Sequence, residues 1–185
     1  MTGRGALDIA IVGCGPPGMA AALFLARAGH RLRVFERFDA PRPVGSGLLL
    51  QPTGLAVLKQ LGVLEKISAA GARIDRLAGA TVPSGRRILS VAYADIPGGL
   101  HGVGIHRASL FDILHDALAG DGIEVVPAAP VAAVEMSSGD RPTLRLASGA
   151  KAGPFDLVID AAGAQSALRG PANGAPPRPF AYGAI

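Results

Sequence analysis

Three glycines and one carboxylate near the N-terminus have the types and spacing to hold a phosphorylated, hydroxyl-bearing ligand. Gly13, Gly15 and Gly18 follow the G-x-G-x-x-G pattern. In that pattern the first glycine permits a tight turn, the second lets backbone approach a pyrophosphate, and the third lets a helix pack closely on a strand. A helix starting there presents unpaired N–H groups and the positive end of its dipole, so an anion is stabilised without a lysine. Glu36 lies near the ~20-residue spacing at which a carboxylate meets ribose hydroxyls, and an acid there disfavours a 2′-phosphate. Pro17 is tolerated in the first turn but removes one donor from the phosphate side. Cys14 sits beside the same turn, where a helix N-terminus lowers a thiol pKa, yet a small residue is simply what fits there.

Other chemistry-bearing residues form no comparable constellation. His30, His101, His106 and His115 lack metal-ligand spacing. Ser166 lies in a glycine-flanked turn but not in the G-x-S-x-G context of a nucleophile elbow.

The elements that position the glycines can be read locally. The apolar run 9–12 is a parallel strand buried on both faces, residues 16–28 a helix ended by Gly29, and 32–35 the second strand. Strand before, helix after and acid at the end of the next strand are the three checks that this motif demands. Beyond Glu36, a Pro/Gly-punctuated loop runs to Gly47. Residues 48–50 then lead to a helix over 54–61 with Thr53 as its N-cap and Leu55, Leu58 and Leu61 on one face. A further short helix is expected over 64–69. Two strands, 74–82 and 86–93, flank the turn Pro83-Ser84-Gly85 as an inserted hairpin. Residues 108–118 are helical with an apolar stripe of Leu110, Phe111, Leu114 and Leu118. A strand over 123–126, a hairpin of 131–136 and 143–147, and a buried-type strand over 155–160 that returns to the first sheet complete the pattern. Residues 170–179 are rich in proline and glycine and read as a linker, followed by an apolar start of something further.

Composition sets the bounds. The 185 residues are 49% hydrophobic and 17% charged, with 26 Gly, 15 Pro and no Trp, as in an Ala/Gly-rich α/β protein and unlike a disordered one. The net charge of +4 comes from scattered arginines with no basic run, so no nucleic acid partner is implied. A single cysteine excludes an internal disulfide and fits a cytoplasmic location. No stretch reads as a membrane span.

Four stretches, IVGCGPPGMAAALFLARAGHRLRVFER, VGSGLLLQPTGLAVLKQLGV, GIHRASLFDIL and FDLVIDAAGAQSALR, resemble in order the N-terminal part of the class A flavoprotein monooxygenases. These are the para-hydroxybenzoate hydroxylase-like, FAD-dependent aromatic hydroxylases. The resemblance implies a Rossmann-like FAD/NAD(P)-binding parallel sheet with inserted β-hairpins, truncated before the full substrate domain. Residues 1–72 and 98–170 would form a discontinuous FAD-binding domain, 73–97 a hairpin insertion toward the substrate domain, and 171–185 a linker and the start of that domain. It further implies that Gly13, Gly15 and Gly18 face the FAD pyrophosphate, Glu36 the adenosine ribose, and Arg37 or Arg42 phosphate or adenine. Arg107 looks like the family arginine that reaches the cofactor, and Val131 matches a position whose backbone lies against adenine. The fourth stretch resembles a family Asp-Gly motif tied to FAD and NADPH, in which this chain has Ala162-Gly163 instead.

The function so implied is the FAD-binding portion of a monooxygenase that hydroxylates a small aromatic substrate with O₂ and NADPH or NADH as reductant. This chain alone would be inactive, self-associating or completed by a C-terminal half. Two alternatives stand beside it: a non-catalytic or vestigial cofactor-binding fragment, and an NAD-dependent dehydrogenase. The second is disfavoured because the early hairpin and the distant return strand depart from a simple doubly wound order.

Overall fold

The run Asp8–Val12 has no polar side chain after its first residue, and it becomes the central strand of a parallel sheet with Ile9, Ala10 and Ile11 fully buried. A computed structural model describes residues 5–40, 46–136 and 141–169. Arg42, the linker and the apolar end of the chain lie outside the described residues. In chain order the elements are β1 (Asp8–Val12), α1 (Pro16–Arg27), β2 (Arg31–Phe35), β3 (Gly47–Leu50), α2 (Pro52–Gln60), α3 (Leu64–Ala70), β4 (Ala72–Ile74), β5 (Arg76–Ala80) and β6 (Arg87–Ala92). They continue with β7 (Gly102–His106), α4 (Arg107–Gly120), β8 (Glu124–Val126), β9 (Val131–Met136), β10 (Pro142–Leu146), β11 (Lys151–Ala152) and β12 (Leu157–Asp160).

These elements form two compact units. The first joins the described residues before position 41 to those from Leu118 onward. Its parallel sheet has the order β12-β1-β2-β8. Read from the other edge, this is the half-sheet order of a doubly wound dinucleotide fold, in which the first strand lies between the second and the last. The parallel sheet therefore does keep the doubly wound order. The departure lies in what is inserted between β2 and β8, because consecutive parallel strands tolerate a connection of any length that returns to the same edge.

Alternation along each strand sorts side chains between the two faces. Ile9, Ile11 and Val34 face the side on which α1 packs, and α1 buries Gly18, Met19, Ala22 and Leu23. Ala10, Val12 and Phe35 face the other side and form one core with Ala129, Leu144, Phe155 and Leu168. That core is closed by the antiparallel meander β11-β10-β9, which contributes Val134, Leu146 and Ala152. Each fully buried aliphatic or aromatic side chain here contributes about 1.5–3 kcal/mol. Phe35 and Phe155 meet edge to face at 6.0 Å, and the Arg33 guanidinium lies 4.7 Å above the Phe155 ring.

The second unit comprises the described residues from 46 to Ala117. Its sheet has the order β3-β7-β4, antiparallel throughout, and β5-β6 is a separate hairpin. The expected strand over 74–82 divides at Asp75: residues before it pair with β7 and residues after it with β6. Thr53 is not a cap, because Pro52 already occupies the first helical position and Gln51 precedes it. The Gln51 side chain instead accepts the buried Tyr93 hydroxyl at 2.6 Å.

Candidate functional site

In open α/β sheets ligands bind beyond the carboxyl ends of the strands. There the glycine turn, Glu36 and the turn after β12 come together. Gly13 has φ +105°, and a Cβ on it would lie 2.6 Å from the Ala161 carbonyl oxygen and 2.9 Å from the Ala162 Cα. Both neighbours are backbone, so conformation and close approach each require glycine. A Cβ on Gly18 would fall on the Gly13 carbonyl oxygen and 3.3 Å from the Ala161 Cβ, which is the tight helix–strand contact expected of the third glycine.

Gly15 differs from both. Its φ of −77° and ψ of 173° suit any residue, and the nearest atom to a Cβ built there is Pro17 Cδ at 3.8 Å. Nothing in the protein requires a glycine at this position. What a side chain would fill is open space at the N-terminus of α1, where no side chain caps the helix and no acid occupies the first turn. Because Pro16 and Pro17 carry no N–H, the donors this helix start can offer an anion reduce to Gly15 and Gly18. A cradle of this shape fits the pyrophosphate of a dinucleotide.

Glu36 is the one buried charged side chain among the described residues. Its Oε2 accepts the Cys14 N–H at 2.8 Å and its Oε1 the Phe38 N–H at 3.1 Å. Hydrogen bonds to a charged group contribute roughly 1.5–3 kcal/mol each, which offsets the burial. A carboxylate has about four lone-pair positions, so each oxygen keeps capacity for a further donor. Burial, and then the Glu36 charge, push the Cys14 thiol up to about 11. The thiol is therefore neutral and inert despite its place at a helix start, and Cys14 contributes its backbone N–H.

Three backbone bonds hold a second strip beside Glu36. Its N–H donates to Val126 O at 2.9 Å, its carbonyl accepts Ala129 N–H at 2.8 Å, and Phe38 O accepts Ala128 N–H at 2.7 Å. Ala128 has φ +50°, a strained conformation for alanine that costs about 1 kcal/mol or more. Nothing in the sequence marks this strip. Val131, half-buried at the start of β9, follows it directly. Arg37 is exposed with its guanidinium 4.7 Å over the Phe38 ring. Gly163 follows the Ala161–Ala162 backbone that touches Gly13, at φ +80° with open space around it.

Arg107 belongs to the second unit, where β7 runs into α4 without a loop and the Arg107 N–H donates to Ser46 O at 3.2 Å. Beside it is an open, mainly apolar concavity of about 560 Å³ lined by Gly47, Gly71, Gly104, Ile105 and His106 among others. Two other histidines serve backbone or packing. His30 accepts the Leu7 N–H at 3.3 Å at the amino ends of β1 and β2, and His115 stacks on Phe111.

A parallel sheet in doubly wound order, a glycine turn with one unexplained vacancy and a buried acid at the end of the second strand define a dinucleotide-binding domain. The chain belongs to the FAD binding domain family, which matches residues 6–167. Over 166 residues it is 35% identical to the 3-amino-4-hydroxybenzoate 2-monooxygenase of Streptomyces cremeus, covering 88% of this chain and 41% of that protein. It is 34% identical over 166 residues to the aurachin C monooxygenase/isomerase of Stigmatella aurantiaca, covering 88% and 42%. The tetrameric 2-methyl-3-hydroxypyridine-5-carboxylic acid oxygenase shares the fold, with a TM-score of 0.77 at 22% identity over 92% of this chain and 43% of that one. The chain spans less than half the length of these relatives. Among the described residues no helix is long and apolar enough to cross a membrane.

Proposed function

We propose that this chain holds FAD for a monooxygenase that hydroxylates a small aromatic substrate with O₂ and NADPH or NADH. The observation that carries the reading is Gly15, a glycine that the protein's own packing does not need and that opens onto a helix N-terminus. The Gly15 and Gly18 N–H groups would hold the pyrophosphate. The free lone pairs of Glu36 would accept the adenosine ribose hydroxyls, and its charge would repel a 2′-phosphate. The strip from Val126 to Val131 would flank the adenine, with Arg37 near phosphate or adenine. Gly163 would meet the cofactor beyond the adenosine. Bound FAD supplies the electron transfer and oxygen activation that no side chain here supplies. The names of the two monooxygenase relatives, one acting on an aminohydroxybenzoate, support the aromatic substrate class.

Titration of the purified chain with FAD, following flavin fluorescence, tests this reading. Saturable FAD binding that ADP competes away, with no binding of FMN, is expected because the site is built around the adenosine and pyrophosphate. Absence of saturable FAD binding, or equal binding of FMN, would overturn it.

A further inference from the structure

The strand order dictates how a dinucleotide must cross this sheet. On the FAD reading its pyrophosphate would lie over the end of β1, at the glycine turn, and its adenosine over the end of β2, at Glu36. The other half must therefore run over β12, because β12 is the remaining neighbour of β1. The residue at that end of β12 is Asp160, and its carboxylate is turned onto its own chain. Oδ1 accepts the Ala162 N–H at 3.1 Å and Oδ2 the Ser166 hydroxyl at 2.6 Å. Ser166 Oγ in turn accepts the Leu168 N–H at 3.1 Å, and Leu168 is buried in the core. Ser166 N–H and the Arg169 guanidinium both donate to Gly163 O, at 3.1 and 3.2 Å. The turn from Ala161 to Leu168 is thus clamped at one end by Asp160, anchored in the core at the other, and pressed by its Ala161 backbone against Gly13.

We infer that Asp160, acting through Ser166, is a positioning residue for the flavin-bearing half of the cofactor. Asp160 holds the Ala162–Gly163 turn at the height of the glycine turn, so that the open side of Gly163 faces the ligand. This inference rests on the FAD reading above. It differs from a purely structural cap in one respect: it acts on one half of the ligand only.

The test compares FAD and ADP affinities of the full chain for the wild type, Asp160→Ala, Asp160→Asn and Ser166→Ala. Loss of a charge-assisted brace is expected to weaken FAD about tenfold or more in Asp160→Ala, with ADP affinity within about twofold of the wild type. Asparagine can accept from Ala162 N–H and donate to Ser166 Oγ, so Asp160→Asn should keep most FAD affinity, and Ser166→Ala should show a smaller FAD-selective loss. Retained ADP binding doubles as the check that each variant is folded. Unchanged FAD affinity in Asp160→Ala, parallel loss of FAD and ADP, or a loss in Asp160→Asn as large as in Asp160→Ala would each overturn the inference while leaving the FAD reading intact. A wild-type chain that binds neither ligand would overturn both.

Discussion

Substituting each motif glycine by alanine separates what the fold needs from what the ligand needs. At Gly13 the new Cβ meets the Ala161 carbonyl at 2.6 Å with φ at +105°. Backbone strain of about 1–3 kcal/mol adds to overpacking of about 1–3 kcal/mol, so Gly13→Ala should lose ~2–6 kcal/mol of a total that is only about 5–15 kcal/mol in most domains. Gly18→Ala belongs to the same class, because its Cβ falls on the Gly13 carbonyl. Gly15→Ala should behave differently. Its φ/ψ is allowed and its nearest neighbour is at 3.8 Å; the freedom lost by the unfolded chain is set against alanine's poorer fit at an N-cap, so stability should change by less than about 1 kcal/mol. That corresponds to less than about 4 °C in Tm for a chain of this size. FAD should nonetheless bind ~10- to 150-fold more weakly, the equivalent of about 1.5–3 kcal/mol of charge-assisted hydrogen bonding held out of reach. Thermal melts followed by circular dichroism and flavin fluorescence titration read both quantities on the same samples. A Gly15→Ala chain that binds FAD like the wild type, or that unfolds like Gly13→Ala, would refute the assignment of Gly15 to the ligand.

Glu36→Gln leaves one amide NH₂ facing either Cys14 N–H or Phe38 N–H, so it should cost about 1–3 kcal/mol of stability and a similar amount of FAD affinity. Unchanged flavin affinity would remove Glu36 from the site. The Cys14 thiol is held at about 11 in the folded chain against an ordinary 9.0. Below pH 9 both states are protonated and nothing is gained or lost. From there to about 11 only the unfolded chain gives up its proton, so stability should fall by ~1.4 kcal/mol per pH unit. Urea midpoints between pH 8 and 11 should show this decline in the wild type in excess of Cys14→Ser, and equal slopes would contradict it. Arg33→Met removes the guanidinium over Phe155 and should lower Tm by a few degrees, from a cation–π contribution of about 0.5–2 kcal/mol.

What could be read from the sequence is what depends on near neighbours. The glycine spacing, the apolar run of β1 and Gly29 at the end of α1 each state their steric requirement within a few residues, and the fold places all three as that requirement demands. What stayed hidden acts through a partner distant along the chain. β7 carries glycines at 102 and 104 and a histidine at its end, so it shows no strand pattern of its own. Its burial arises from lying between β3 and β4. The continuous alternation through Asp75 gives no sign that the strand changes partner there, because side-chain period is blind to which edge a strand pairs with. Ala128 carries a left-handed φ with an ordinary side chain, since the backbone bonds to Glu36 and Phe38 over-determine it. The same reasoning explains Asp160. Its identity suggests a solvated strand end, and only the hydroxyl of Ser166 and the core anchor at Leu168 turn it into a brace. Asp160 therefore fixes the backbone of the turn from its base, a task separate from that of an acid projecting from position 162 itself.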